Sequence, residues 1–225
     1  MDIHKPKPWH GSREFLKEYL IIVVGVLTAL GAEQSVEWLH WRHEVAETRE
    51  ALKQELVSNA TRIRFSQIED RCVFAALDRM DAAALLDDGD NPTGFLRHTS
   101  PHLVNFVSSV WEISKSGQAV AHLPTPERLA YARLYDDIGN QMSIVTDQRR
   151  FWGQVVRYST KPRLTPDERR RLAEDVADVR TVHLIWEGNA MRILDEARAV
   201  GAQPKARIDV RVAETVCRAI GLPAA

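Results

Sequence analysis

The sequence predicts an all-α protein in which an N-terminal transmembrane helix continues into an antiparallel helical bundle. Three observations predict it. A charge-free apolar run opens the chain, apolar residues then recur at spacings of three, four and seven, and several helices begin at Ser/Thr-Pro pairs while strand signals stay scarce. The 225 residues divide by this reading into an N-terminal tail over 1–18, a membrane helix over 19–38 and a bundle domain over 39–225.

The apolar run, Tyr19 to Ala32, reads YLIIVVGVLTALGA and is bounded by Glu18 and Glu33. It is shorter than the roughly 20 residues that a straight span requires, so its surroundings decide. Phe15 and Leu16 precede it, and Val36, Trp38 and Leu39 follow in helical register. Lys17 can extend its ammonium to the headgroups while its methylenes stay in the apolar zone. Tyr19 and Trp38 bracket a length of about 28 Å at ~1.5 Å per residue, close to the hydrocarbon thickness of about 30 Å. A cleaved signal peptide, with Ala29-Leu30-Gly31 as the processing site, and a buried core helix are the competing readings.

Flanking charge sets the orientation. Residues 1–18 hold Lys5, Lys7, Arg13 and Lys17, whereas 33–50 hold Arg42 and Arg49 against Glu33, Glu37, Glu44, Glu47 and Glu50. The positive-inside rule keeps the N-terminus in the cytoplasm of a bacterial inner membrane and exports the bulk of the chain to the periplasm. Gly25 and Ala29 form a small-xxx-small pair through which two such helices can approach, so a homo-oligomer is one expected assembly.

Beyond the membrane, Trp38, Trp41, Val45, Leu52, Leu56 and Ile63 continue one stripe, predicting a helix to about Phe65 and a second over Cys72 to Leu86. Asp88 to Gly94, dense in turn formers, reads as a loop. Ser100-Pro101 predicts a helix to about Ser116. Thr125-Pro126 predicts another with Tyr131, Leu134, Ile138, Met142, Val145 and Trp152 on one face. Thr165-Pro166-Asp167-Glu168 is a capping box. It opens a helix whose stripe is Leu172, Val176, Val179, Val182, Trp186, Ile193 and Ala197, ending near Gly201. A terminal helix, Val212 to Ile220, stops at Gly221.

Composition bounds the function. Lys plus Arg number 30 and Asp plus Glu 31, so no basic surplus calls for nucleic acid. Cys72 and Cys217 stand alone, without a CxxC, which argues against a cysteine zinc site; in an oxidising compartment they can pair. Glu37, His40, Glu44 and Glu47 share a helical face and read as a solvated surface, because no matching Glu-x-x-His lies elsewhere. His183, on an apolar stripe, reads as a core histidine. His98 and His102 flank a helix start and His122 has no evident partner. Lys115 between Ser114 and Ser116 is a poor base if solvated. Tyr131 and Tyr135 read as core and rim, and Trp111 to His122 is the first place to look for a ligand pocket. No catalytic, cofactor-binding or metal-ligating residue is assigned.

Trp9, the Arg13–Tyr19 stretch, GVLTALGAEQ and Val36-Glu37-Trp38, in that order, resemble bacterial single-pass membrane proteins of uncharacterised families. The resemblance covers about residues 9–45. It implies a membrane anchor before a helical domain and brings no activity with it. The expectation is a non-catalytic module that senses a ligand or scaffolds an envelope partner. The alternatives are an enzyme assembled from dispersed residues such as His183, His122 and the Glu-rich face, and a soluble helical protein.

Overall fold

The computed structural model describes residues 11–84, 91–99, 101, 103–209, 211 and 214–222. Within them the helices are α1 (Gly11–Ala84), a 3-10 turn (Gly94–Arg97), α2 (Ser109–Ser114), α3 (Gln118–Ala121), α4 (Thr125–Val156), α5 (Pro166–Ala199) and α6 (Thr215–Ala219), with no strand among the described residues. Lys5, Lys7, Trp9, Asp88 to Asp90, Ser100 and His102, all used in the sequence reading, lie outside the described residues. The chain divides into two compact units, Met1–Glu47 and Thr48–Ala225.

The first unit holds the N-terminal half of α1. None of its most apolar 18-residue window is buried, and the row from Leu20 to Leu30 exposes Ile21 at 72% and Leu27 at 63%. The hydroxyls in this stretch are satisfied by their own helix: Thr28 Oγ1 donates to the Val24 carbonyl and Ser35 Oγ to that of Gly31, each at 2.7 Å. Such back-bonding removes the desolvation penalty of a hydroxyl in an apolar medium.

The second unit is a bundle of three long segments. Position pairs give their directions. Going up α4 through Asp137, Gln141 and Gln148, the partners on α5 fall from Arg192 through Asn189 to His183, so these helices are antiparallel. Going up α1 from Arg49 to Glu55, the partners on α4 rise from Glu127 to Tyr135, so α1 and α4 run the same way. The chain therefore has to return between them.

It returns as extended backbone. The helix expected from Ser100-Pro101 begins only at Ser109, and 103–108 run down the side of α1 without helical structure. The reason is the partnering supplied by α1. Asn59 donates from Nδ2 to the Val107 carbonyl at 2.7 Å and accepts from the Val107 N–H at 3.0 Å, as a neighbouring strand would. Arg62 donates to the Asn105 carbonyl at 2.5 Å. Val104 and Phe106 alternate inward and are buried. The break expected after Phe65 is also absent: α1 continues through 66–71 because Ser66, Glu69 and Asp70 face inward and keep the stripe in register.

Both ends of α5 and the glycine stop after α6 follow the sequence closely, whereas α4 starts at Thr125 with Pro124 in the cap position and no side-chain cap bond. At α5 the Thr165 hydroxyl accepts from the Glu168 N–H at 3.3 Å and the Glu168 carboxylate accepts from the Thr165 N–H at 3.0 Å. Its stripe residues, Leu172 to Ala197, are all buried. At its far end Gly201 takes φ of 78°, and the Ala202 N–H reaches back to the Ala197 carbonyl at 2.8 Å. Gly221 repeats the device after α6, with φ of 72° and a Leu222 N–H to Cys217 carbonyl bond of 2.8 Å. On α4, Met142 is 43% exposed and Gln141 takes the inward position instead. Gln141 is held there because it donates to the Trp186 carbonyl at 3.2 Å and accepts from Asn189 at 2.6 Å.

The apolar core gathers Leu77, Met80, Trp152, Val155, Leu172, Val176 and Val179 from the long helices. Cys72 and Cys217 lie in it joined as a disulfide, with Cα atoms 5.0 Å apart and a sequence separation of 145.

Candidate functional site

A buried polar cluster forms where α1, α4 and α5 meet. The stripe of α5 that carries Val179, Val182 and Trp186 places His183 inward as well, and four residues on, one turn further, Glu187 lies on the same side at the rim. From α1 comes Asp70, and from α4 Gln148. His183, Asp70 and Gln148 are all buried, and Glu187 is half-buried.

Packing holds the imidazole on both sides. Trp186 stacks near it with ring planes 12° apart and centroids 5.9 Å apart, and Phe74 presents an edge at 5.0 Å. The Gln148 side-chain nitrogen lies 3.1 Å from His183 Nδ1. His183 Nε2 lies 3.1 Å from Asp70 Oδ1, yet neither atom makes a hydrogen bond. The distance suits an ion pair, but the directions do not suit a shared proton. An unmade hydrogen bond on a buried group costs about 1–3 kcal/mol, so two such atoms side by side require an explanation.

Electrostatics single out Glu187. Burial, first, and the negative charge of Asp70, next, push its carboxyl above the ordinary carboxylate range; the imidazole pulls the other way, and a side-chain hydrogen bond with Asp70 adds to the upward push. One ligand-type atom from each of Asp70, His183 and Glu187 falls within 4.8 Å of the others. This is the set that sequence reasoning missed. His183 and Glu187 were legible as an i, i+4 pair, but Asp70 sits in a segment read as an interhelical break, and nothing in its neighbours marks it as inward-facing.

The other residues weighed from the sequence have surroundings of their own. Glu37, His40 and Glu47 are exposed and Glu44 half-buried; His43 pairs with Glu47 at 3.0 Å, and the Trp41 indole reaches Glu37 at 3.4 Å. Lys115 pairs with Glu112 at 2.6 Å on the surface, and Ser116 donates to the Ile113 carbonyl. His98 and His122 are exposed.

The Trp111 to His122 stretch is organised around a different carboxylate. Glu55, buried on α1, accepts from the Val110 N–H at 2.8 Å, the Trp111 N–H at 3.3 Å, the Ser109 hydroxyl at 3.2 Å and the Tyr135 hydroxyl at 2.7 Å. It caps the start of α2 from another helix, where Ser108 makes no side-chain cap. Trp111 stacks on Tyr135 with planes 4° apart and centroids 5.0 Å apart. Burial and the bond to Glu55 hold the Tyr135 hydroxyl protonated, well above its ordinary range. An open groove of about 590 Å³ is lined instead by Thr61, Phe65, Leu103 and Ile208 together with Arg62, Arg207 and Asp209.

Comparisons of the chain with protein-family models, with curated proteins and with solved structures find no match.

Proposed function

We propose that this chain is a non-catalytic, membrane-anchored helical module whose bundle works outside the cytoplasm as a sensing or scaffolding partner of envelope proteins. The observation that carries the reading is the apolar window of α1, which is long enough to cross a bilayer and of which no part is buried. Leaving so many large apolar side chains in water is unfavourable by about 25 cal/mol per Å² of apolar surface, and lipid removes that cost. A core helix of a soluble protein would be covered by its own bundle.

A second, independent observation supports the export of the bundle. The Cys72–Cys217 bond joins two buried sulfurs, and disulfides persist in oxidising compartments. The charge asymmetry around the run points to the same side, and the resemblance of residues 9–45 to single-pass bacterial membrane proteins agrees. In the bilayer, Gly25 and Ala29 supply a close-approach face for a second copy.

Fractionation and labelling test the proposal together. Arg170 is exposed on α5, and the two native cysteines are already joined, so Arg170→Cys adds one accessible thiol. The expected result is retention in carbonate-washed membranes, with labelling of intact spheroplasts by an impermeant maleimide. Release by carbonate sinks the anchor, and labelling only after lysis reverses the orientation.

A further inference from the structure

We propose that Asp70, His183 and Glu187 bind a divalent transition-metal ion of the zinc class at the junction of α1 and α5. The inference is independent of the membrane reading, since all three residues belong to the bundle.

The donor set fits such an ion. An imidazole nitrogen with two carboxylate oxygens, the fourth position left for water, is a ligand combination that zinc and its neighbours accept, and hard alkaline-earth ions favour oxygen alone. One ligand atom from each residue lies within 4.8 Å of the other two. A pair of atoms without hydrogen bonds marks the same place. His183 Nε2 and Asp70 Oδ1 are buried, lie 3.1 Å apart, and make no hydrogen bond to each other or to anything else. At zinc bond lengths of about 2.0–2.1 Å, the edge of a tetrahedron measures roughly 3.3 Å. The observed spacing is near that edge. Two lone pairs aimed at a common point, not at one another, would leave both atoms without a hydrogen bond, and an ion at that point satisfies both.

Neighbouring side chains support the histidine. The Gln148 amide meets Nδ1 at 3.1 Å, and Phe74 and Trp186 hold the ring plane. As placed, the Gln148 amide nitrogen faces Nδ1; binding of a metal through Nε2 requires the amide rotated by half a turn, so that its oxygen accepts from Nδ1–H and Nε2 is left with a free lone pair. Such outer contacts orient metal-binding histidines. Gln148 is accordingly a positioning residue. Glu187, at the rim, gives the ion a path to solvent.

The test uses the full chain purified in detergent, dialysed against EDTA and titrated with zinc chloride by calorimetry, with cobalt(II) absorption as the readout of coordination. The expected result is one zinc per chain, visible cobalt bands of low-coordinate type, and a rise in unfolding temperature with zinc concentration. Gln148→Ala should weaken binding about 10–100-fold, and Glu187→Gln, half-exposed and so tolerated by the fold, at least as much. His43→Gln, on the exposed face of α1, should leave the affinity unchanged. No uptake by the EDTA-treated protein, or uptake whose affinity Glu187→Gln leaves intact, overturns the proposal.

Discussion

At the scale of single residues, the polar groups inside the bundle specify it as much as the apolar ones. Glu55 gathers four donors from two other segments, and its replacement by Gln would put an N–H pair where an acceptor is needed. Hydrogen bonds to charged groups contribute about 1.5–3 kcal/mol each, and a buried unmade one costs a similar amount. Glu55→Gln should therefore lower unfolding stability by about 1.5–3 kcal/mol in a denaturant titration. Tyr135→Phe, which removes one of the four donors, should cost less. Gly201 is the complementary case, in which backbone alone decides. A Cβ there meets nothing within 4 Å, yet φ is +78°. Gly201→Ala should cost about 1–2 kcal/mol without any packing change, measured by the same titration.

At the scale of elements, the helix boundaries divide into those set by local chemistry and those overruled by neighbours. The start of α5 is local. Thr165→Ala should remove about 1 kcal/mol through loss of the cap. The Glu168 carboxyl is held down to about 2 by its ion pair with Lys161 first and the Thr165 N–H next. The sign follows from linkage: a depressed carboxyl stabilises the fold fully above its ordinary range near 4.5, and that stability fades as pH falls toward about 2. Thermal unfolding between pH 5 and pH 2 should show this acid limb, and Glu168→Gln should flatten it. The ion pair is partly exposed to solvent, so high salt should reduce the effect. The 103–108 segment is the opposite case. Ser100-Pro101 is a fair helix start in isolation, but Asn59 and Arg62 offer extended backbone the hydrogen bonds a helix would otherwise supply.

At the scale of the whole molecule, the topology creates a liability that the disulfide offsets. Contacts that close the bundle join residues distant in sequence, such as Asp70 of α1 with His183 of α5 and Arg71 of α1 with Glu214 before α6. The Cys72–Cys217 bond closes the largest of these loops and constrains the unfolded chain. On the loop-entropy account it contributes about 4–5 kcal/mol, with about 2–5 kcal/mol lost when such a bond is removed. Cys72→Ala/Cys217→Ala should lower the unfolding free energy by that amount, and the native chain should lose the same stability when the bond is reduced. An equal stability with and without reductant would mean that the bond adds nothing to the folded bundle.

What the sequence by itself determined were features that depend on a few neighbouring residues. These are the all-helical class, the charge-free run of α1, the capping box of α5, its buried stripe from Leu172 to Ala197, and the glycine ends at Gly201 and Gly221. Periodicity, capping and positive φ are local properties, and the residues that cause them are adjacent in the chain. Tertiary structure decided the rest. It kept α1 unbroken through Asp70, straightened 103–108, turned Gln141 inward in place of Met142, and brought Asp70 and Gln148 against a histidine that the stripe alone marks as ordinary core. Each of these is a polar group whose energy depends on a partner one or two helices away. A polar side chain faces the core only when such a partner waits there, and the partner's position follows from the packing of the bundle.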